Sequence, residues 1–131
     1  MRARQGKGGG QRRLRVGEAY RHELAAMFQR GEVPDPDLGS LSITVTQVDV
    51  SPDLRNALAF VTPLGQVDRQ GFMDALKRVA PAIQGEIARR LGLRLTARLA
   101  FKFDDRFERV RRIEELLKDP VVAADIARRD G

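Results

Sequence analysis

Alternation of apolar and polar residues along the chain predicts three β-strands. The clearest lies at 93–103, where leucines, an alanine and phenylalanines take every second position, with mainly basic residues and a threonine between them. A second stretch, 41–50, changes phase at Thr46-Gln47, which indicates a strand with a β-bulge. Residues 56–62 are almost continuously apolar and follow the turn signal Ser51-Pro52-Asp53, so they are expected to form a hairpin with the preceding strand.

Helical spacing of apolar residues predicts four helices. The first spans Arg12 to about Arg30, the second about Asp68 to Val79, and the third Pro81 to Leu91. Because Pro81 lacks an N–H and disfavours helical geometry at Ala80, a break or kink is expected at Ala80-Pro81-Ala82.

The last helix is predicted to begin near Asp105, with Glu108 completing a capping box. Its expected buried stripe consists of Phe107, Val110, Ile113 and Leu117. With only three strands, the helices must cover one face of the sheet to enclose a core, so the predicted fold is an α+β sandwich of two layers.

One domain is expected over residues 12–118, flanked by two segments without a core pattern. The first 11 residues are basic and rich in glycine, and they predict a flexible arm. Residues 119–131 follow the last helix and predict a mobile tail. There is no apolar leader and no bilayer-spanning stretch, and cysteine is absent, so a soluble cytoplasmic monomer is expected.

Positive charge is concentrated in two blocks of a chain whose formal charge is +6. Residues 1–30 hold eight Lys or Arg against two Glu, and residues 76–103 hold seven against one, whereas 31–75 is acidic. A polyanionic partner is expected, with nucleic acid favoured over a membrane because no basic amphipathic helix with clustered aromatic residues is present.

The basic residues of these blocks are the candidate RNA contacts, with an ordinary solvated surface as the alternative. In the second block they are Lys77, Arg78, Arg89, Arg90, Arg94, Arg98 and Lys102. In the first block they are Arg12, Arg13, Arg15 and Arg21, for which a merely solubilising role is about as well supported.

No catalytic or metal-binding constellation is present in the sequence. His22 is the only histidine, so no His pair for zinc can form, and no Ser or Thr has a His and an acid available for a triad. The pair Asp104-Asp105 is better explained by helix capping than by a cation site. No cofactor, no metal and no small-molecule substrate are expected.

Several segments, in this order and spacing, resemble the ribosome-binding factor A family, whose fold is type-II K-homology. They are Arg15-Val16-Gly17-Glu18, Val48 to Leu54, Arg55-Asn56-Ala57, Val61 to Gly65, Leu93 to Asp104, and Arg112 to Leu117. The resemblance covers about 12–117. It implies a non-enzymatic protein that binds the small ribosomal subunit and its ribosomal RNA and aids late maturation of that RNA.

Some positions depart from the pattern that the resemblance implies. RNA-binding K-homology domains carry Gly-x-x-Gly between paired helices, and the resembled family often has Ala-x-Gly, but Ala80-Pro81-Ala82 has no glycine. The kink is therefore expected to set a helix angle rather than to cradle a phosphate. Gln84 replaces a common Arg, whereas Arg98 and Arg106 are additional candidate contacts.

Two other functional readings remain open from the residues alone. One is a free-standing K-homology protein that binds single-stranded nucleic acid, although the few aromatic residues lie mostly at buried positions. The other is a protein-interaction module with incidental charge, which would show little salt dependence. Five or six phosphate contacts instead predict a log-log salt slope of about −4 on single strands.

Overall fold

The computed structural model describes the backbone of residues 2–118 and the side chains of residues 10–106 and 109–118. In chain order the elements are α1 (Arg2–Gln29), β1 (Ile43–Val50), β2 (Asn56–Pro63), α2 (Arg69–Arg90), β3 (Arg98–Phe103) and α3 (Arg106–Lys118). The predicted α+β architecture with a three-stranded sheet is confirmed.

The sheet has the strand order β1-β2-β3. Strands β1 and β2 are antiparallel and form the predicted hairpin, with a register shift between Val45 and Gln47 that confirms the bulge. Strands β2 and β3 are parallel, from Asn56 paired with Arg98 to Val61 paired with Phe103. A parallel pair needs a long crossover, and α2 provides it. Strand β3 is consequently an edge strand.

The core lies between one face of the sheet and the helices. Helix α1 packs on β1, and α2 packs on β3. The fully buried large side chains are Tyr20, Leu24, Val61, Leu76 and Ile87. Helix α1 approaches β1 so closely that a Cβ on Gly17 would lie 2.6 Å from the Val48 carbonyl oxygen, so only glycine fits there without movement. Neither α1 nor α2 packs on the opposite face, and the first residue of α3, Arg106, lies at the border of that face.

The first helix begins earlier than predicted. The structure assigns helix from Arg2, ten residues before the expected start at Arg12, so the backbone of 2–11 is helical where a flexible arm was predicted. Glycines lower helix propensity by about 1 kcal/mol each but, unlike proline, remove no backbone hydrogen bond, so a helix can continue through them. The predicted mobile tail, 119–131, lies outside the described residues.

The two helices predicted on either side of Pro81 form a single helix, α2, with Pro81 inside it. The predicted break is therefore wrong, whereas a bend at Ala80-Pro81-Ala82 stays a prediction. The face of α2 that carries Ala80, Ile83 and Ile87 is buried against the core on both sides of the proline. Burial of that face favours one continuous helix over the local preference of proline.

Two predicted apolar faces are not buried. Strand β3 begins at Arg98 rather than Leu93. Gly92, at φ +64°, follows the end of α2, and the next residues form a turn instead of a strand. The Leu95 side chain is 53% exposed. On α3, Val110, Ile113 and Leu117 are about half exposed, which contradicts the predicted buried stripe, while the Phe107 side chain lies outside the described residues. The helices α1 and α2 already cover the core face, so α3 has no apolar layer to join.

Candidate nucleic-acid interface

A groove of about 530 Å³ runs between α2 and the edge strand β3. Met73 and Phe101 are among its apolar walls, and Ala80 and Pro81 line it from the middle of α2. Two of the predicted contact residues, Lys77 and Arg98, also line it, on opposite sides. The proline region and two cations thus lie around one groove, while their contact with RNA stays a prediction.

Gln84 shapes this groove through a contact with the backbone. Its side-chain oxygen accepts a hydrogen bond of 2.9 Å from the Leu99 N–H. Because β3 is the edge strand, this N–H has no strand partner, and Gln84 satisfies it. The glutamine therefore joins α2 to β3. An arginine, which is only a donor, could not accept this bond.

A basic side chain that has no partner within the protein is available to bind a phosphate. Within the described part of the chain, Lys77, Arg94 and Arg98 make no side-chain hydrogen bond or ion pair, and all three are exposed. Lys77 lies on α2, Arg94 in the turn after that helix, and Arg98 at the start of β3. Lys77 and Arg98 line the groove, whereas Arg94 lies outside its lining.

Arg78 is engaged within the protein. Its guanidinium donates to Asp35 at 3.2 Å and to Asp37 at 2.9 Å, so it anchors the loop between α1 and β1. The Asp35 side chain is only 8% exposed, and its hydrogen bonds from Arg78 and from the Asp37 backbone hold its pKa below the usual value. A phosphate would have to compete with two carboxylates for Arg78.

Arg89 and Arg90, at the end of α2, are also paired. Both contact Glu86, and their hydrogen bonds lower the pKa of that carboxyl, with Arg89 the larger cause. Arg90 additionally reaches Glu32 at 2.9 Å and Glu23 at 3.5 Å, which ties α2 to α1 and its following loop. Arg90 is a structural residue, while Arg89, with a side chain 76% exposed, still projects toward solvent.

The arginines of α1 differ in their surroundings. Arg12 and Arg15 are exposed, Arg13 is half-buried, and none of the three has a side-chain partner among the described residues. Arg21 is bound to Glu18 one turn earlier, and this hydrogen bond is the main cause that lowers the pKa of Glu18. Arg12, Arg13 and Arg15 are therefore available to a ligand, but they lie on α1 and not at the α2–β3 groove.

Lys102 and Arg106 belong to the uncovered face of the sheet, on the other side from α1 and α2. Arg106 donates through two nitrogens to Asp104, at 2.9 and 2.7 Å, and Asp104 also accepts from the Thr46 hydroxyl at the bulge. The Asp104 side chain is 1% exposed. Hydrogen bonds from Arg106, and then from Thr46, hold its pKa far below the ordinary value despite this burial.

Two acids with structural roles were not identified from the sequence. Asp35 is 43 residues from Arg78, and Asp104 is 58 residues from Thr46. Local patterning carries no signal for pairs this far apart. The Asp104 carboxylate accepts from the N–H of Arg106, the first residue of α3, in agreement with helix capping by the aspartate pair. The predicted capping box with Glu108 stays a prediction, because the Glu108 side chain lies outside the described residues.

The described residues contain no group of three or more metal-ligating side chains. His22 is exposed and lies 3.5 Å from Glu18, without a second histidine. Across residues 2–118, no helix has the length and apolar character needed to cross a bilayer.

The helix–sheet topology, in which α2 connects the parallel strands β2 and β3, defines a small α+β protein of the type-II K-homology class. The model of the family "Ribosome-binding factor A" matches residues 12–117. The chain belongs to the ribosome-binding factor A family.

Relatives extend the match over most of the chain. Ribosome-binding factor A of Paramagnetospirillum magneticum is 47% identical over 116 residues, which cover 88% of this chain and 82% of the relative. That of Bradyrhizobium sp. strain ORS 278 is 42% identical over 119 residues, covering 91% and 86%.

Solved structures share the fold. The crystal structure of ribosome-binding factor A from Thermus thermophilus is 27% identical, with a TM-score of 0.58, and the match covers 69% of this chain and 93% of that one. A Thermus thermophilus homology model, fitted into the cryo-EM map of a complex with the 30S subunit, is also 27% identical, with a TM-score of 0.53 and coverage of 65% and 87%.

Proposed function

We propose that this protein binds the small ribosomal subunit and aids late maturation of its ribosomal RNA. The observation that carries the proposal is the α2–β3 groove with free cations at Lys77 and Arg98, in a family with a member fitted into a 30S complex. Guanidinium and ammonium groups bind phosphates without reading sequence, so they suit a folded RNA surface.

The proposed mechanism is occupancy rather than catalysis. Cations around the groove bind phosphates of an immature RNA conformation, and weaker binding to the mature conformation leads to release. Arg94 adds a cation after the end of α2, and Arg12, Arg13 and Arg15 form a second set of cations on α1, which packs on β1 at the other edge of the sheet. The internal ion pairs of Arg78 and Arg90 make these two weaker candidates.

We further propose that α2 is bent at Ala80-Pro81-Ala82. Pro81 has no N–H to donate to the Lys77 carbonyl, so the helix lacks one hydrogen bond beside the groove. A bend there would set the angle between the two halves of α2 and hence the distance between Lys77 and Arg98 across the groove.

Co-sedimentation with purified small subunits, mature and precursor, tests the function. The wild-type protein is expected to pellet with precursor subunits more than with mature ones, and Lys77→Glu with Arg98→Glu is expected to abolish pelleting. Arg30→Glu with Arg109→Glu is the control with the same change of net charge, because both arginines are exposed and lie outside the groove. Failure of the wild-type protein to pellet with either subunit at moderate salt would refute the proposal.

A further inference from the structure

The uncovered face of the sheet presents a half-buried aromatic ring between two cations. Phe60 lies on the middle strand β2, directly opposite Gln47 on β1 and Lys102 on β3. The Lys102 Nζ is 5.9 Å and the Arg106 Cζ 6.0 Å from the centre of the ring. Cations at these distances are attracted to the face of an aromatic ring and hold its orientation.

Leu58, two residues before Phe60 on the same face, continues the apolar surface. Leu58 is paired with Asp49 on one side and with Ala100 on the other, and the next pair is Asn56 with Arg98. We call this surface the sheet platform; its residues are Gln47, Asn56, Leu58, Phe60, Arg98, Ala100, Lys102 and Arg106. A shallow cavity of about 310 Å³ lies at the Asn56 and Arg98 end.

Charge on the platform favours an anionic ligand. Lys102 and Arg98 have no ion pair among the described residues, and Arg106 is fixed by the buried Asp104. The exposed acid of this face, Asp49, accepts a hydrogen bond of 2.6 Å from the Gln47 amide and keeps its negative charge, so the cations Arg98, Lys102 and Arg106 exceed the acids Asp49 and Asp104 by one. The two cations without an ion pair, Arg98 and Lys102, lie at the β3 side of the ring.

Arg98 connects the platform to the groove. It lines both the platform cavity and the α2–β3 groove, because it lies on the edge strand between them. A chain of phosphates bound in the groove by Lys77 and Arg98 can therefore continue around the edge of β3 toward Lys102.

We propose that the sheet platform binds an unpaired RNA nucleotide, with its base stacked on Phe60 and its phosphate bound by Lys102. This inference rests on the proposed function, since it supposes that RNA is the ligand. Base stacking on an aromatic side chain is tolerant of sequence, and amides such as Gln47 and Asn56 offer hydrogen bonds to base edges. An acidic peptide would use the cations but neither the ring nor the amides.

Fluorescence anisotropy with a labelled ten-nucleotide oligoadenylate tests the stacking. Phe60→Leu keeps an apolar side chain but removes the ring, and it is expected to weaken binding about tenfold. Phe60→Tyr is expected to bind like the wild type. A ten-mer with the same backbone but no bases is expected to bind wild type and Phe60→Leu equally, whereas Lys102→Gln is expected to weaken both ligands.

Three results would overturn the platform site. They are an unchanged affinity of Phe60→Leu for oligoadenylate, equal wild-type affinity for the two ten-mers, or displacement by polyglutamate as effective as by unlabelled oligoadenylate. If Phe60→Leu fails to fold, photocrosslinking of a 4-thiouridine ten-mer to the wild type replaces it. Crosslinks are then expected in residues 56–63, and their absence there overturns the site.

Co-sedimentation with subunits separates this inference from the proposed function. Pelleting of the wild-type protein together with no effect of Phe60→Leu on oligoadenylate refutes only the platform. A tenfold effect of Phe60→Leu without pelleting refutes only the subunit function and leaves a single-strand RNA binder.

Discussion

Gln84 of α2 accepts a hydrogen bond from the Leu99 N–H of β3 at 2.9 Å, so the side chain takes the place of a missing fourth strand. This contact joins α2 to the edge strand at the end of the groove, one turn after Pro81. It also explains what a glutamine does at a position where the family resemblance implies an arginine.

Gln84→Ala is expected to lower the free energy of unfolding by about 1 kcal/mol, because the Leu99 N–H loses its acceptor. Urea denaturation monitored by circular dichroism measures this. Gln70→Ala is the matched control on the same helix; Gln70 bonds only to Asp74 at the surface and should change stability little. Equal effects of the two substitutions would show that the Gln84 bond is not special.

Asp104 should make stability depend on acid pH. Arg106 is the main cause that lowers the pKa of Asp104 in the folded protein below the unfolded value of about 3.9. At a pH between these two pKa values, the unfolded chain binds more protons than the folded protein. The stabilising contribution of Asp104 is therefore complete above about pH 5 and is lost as the pH falls. Urea titrations between pH 7 and pH 3 should show a steeper loss for the wild type than for Asp104→Asn.

At pH 7, Asp104→Asn is expected to cost about 2 kcal/mol, since two charge-assisted hydrogen bonds from Arg106 are weakened. Asp105→Asn is the neighbouring control, because Asp105 makes longer ion pairs of 3.8 Å with Arg69 and 3.3 Å with Arg109. A pH profile of Asp104→Asn as steep as that of the wild type would contradict the assignment.

Lys77 and Arg90 should separate binding from folding. Lys77→Gln removes a free cation, so it is expected to weaken RNA binding and reduce the log-log salt slope by about 0.7 on single strands. Arg90→Gln leaves Glu23, Glu32 and Glu86 without their shared cation, so it is expected to lower the melting temperature. Affinity measured across a salt series, together with thermal melts, checks both; a reversal of the two phenotypes would contradict the placement of these residues.

Alanine substitutions at Gly17 and Gly85 are expected to change the free energy of unfolding in opposite directions. Gly17→Ala brings a Cβ to 2.6 Å from the Val48 carbonyl oxygen, and the forced shift of α1 is expected to destabilise by about 2 kcal/mol. At Gly85, on α2, a Cβ meets nothing within 4 Å. Gly85→Ala should therefore stabilise by about 1 kcal/mol through helix propensity. Chemical denaturation of both variants tests the pair, and stabilisation by Gly17→Ala would show that the two elements are not in such close contact.

The sequence by itself determined the number and order of the strands, the bulge at Thr46-Gln47, the two-layer architecture and the family, but not where β3 begins. The strands and the bulge follow from hydrophobic periodicity and from turn residues that lie close together in the chain. The family follows from the order of its motifs along the sequence. The concentration of positive charge in two blocks is likewise a property of the sequence alone.

Only the tertiary structure decided which basic residues are free. Arg78 and Arg98 look alike in the sequence, but Asp35, 43 residues earlier, binds Arg78, while Arg98 has no such partner among the described residues. In the same way, burial of one face of α2 overrode the proline at position 81, and the lack of an open core face left the α3 stripe exposed. Pairing and burial depend on the distances between elements in space, which local sequence patterns do not encode.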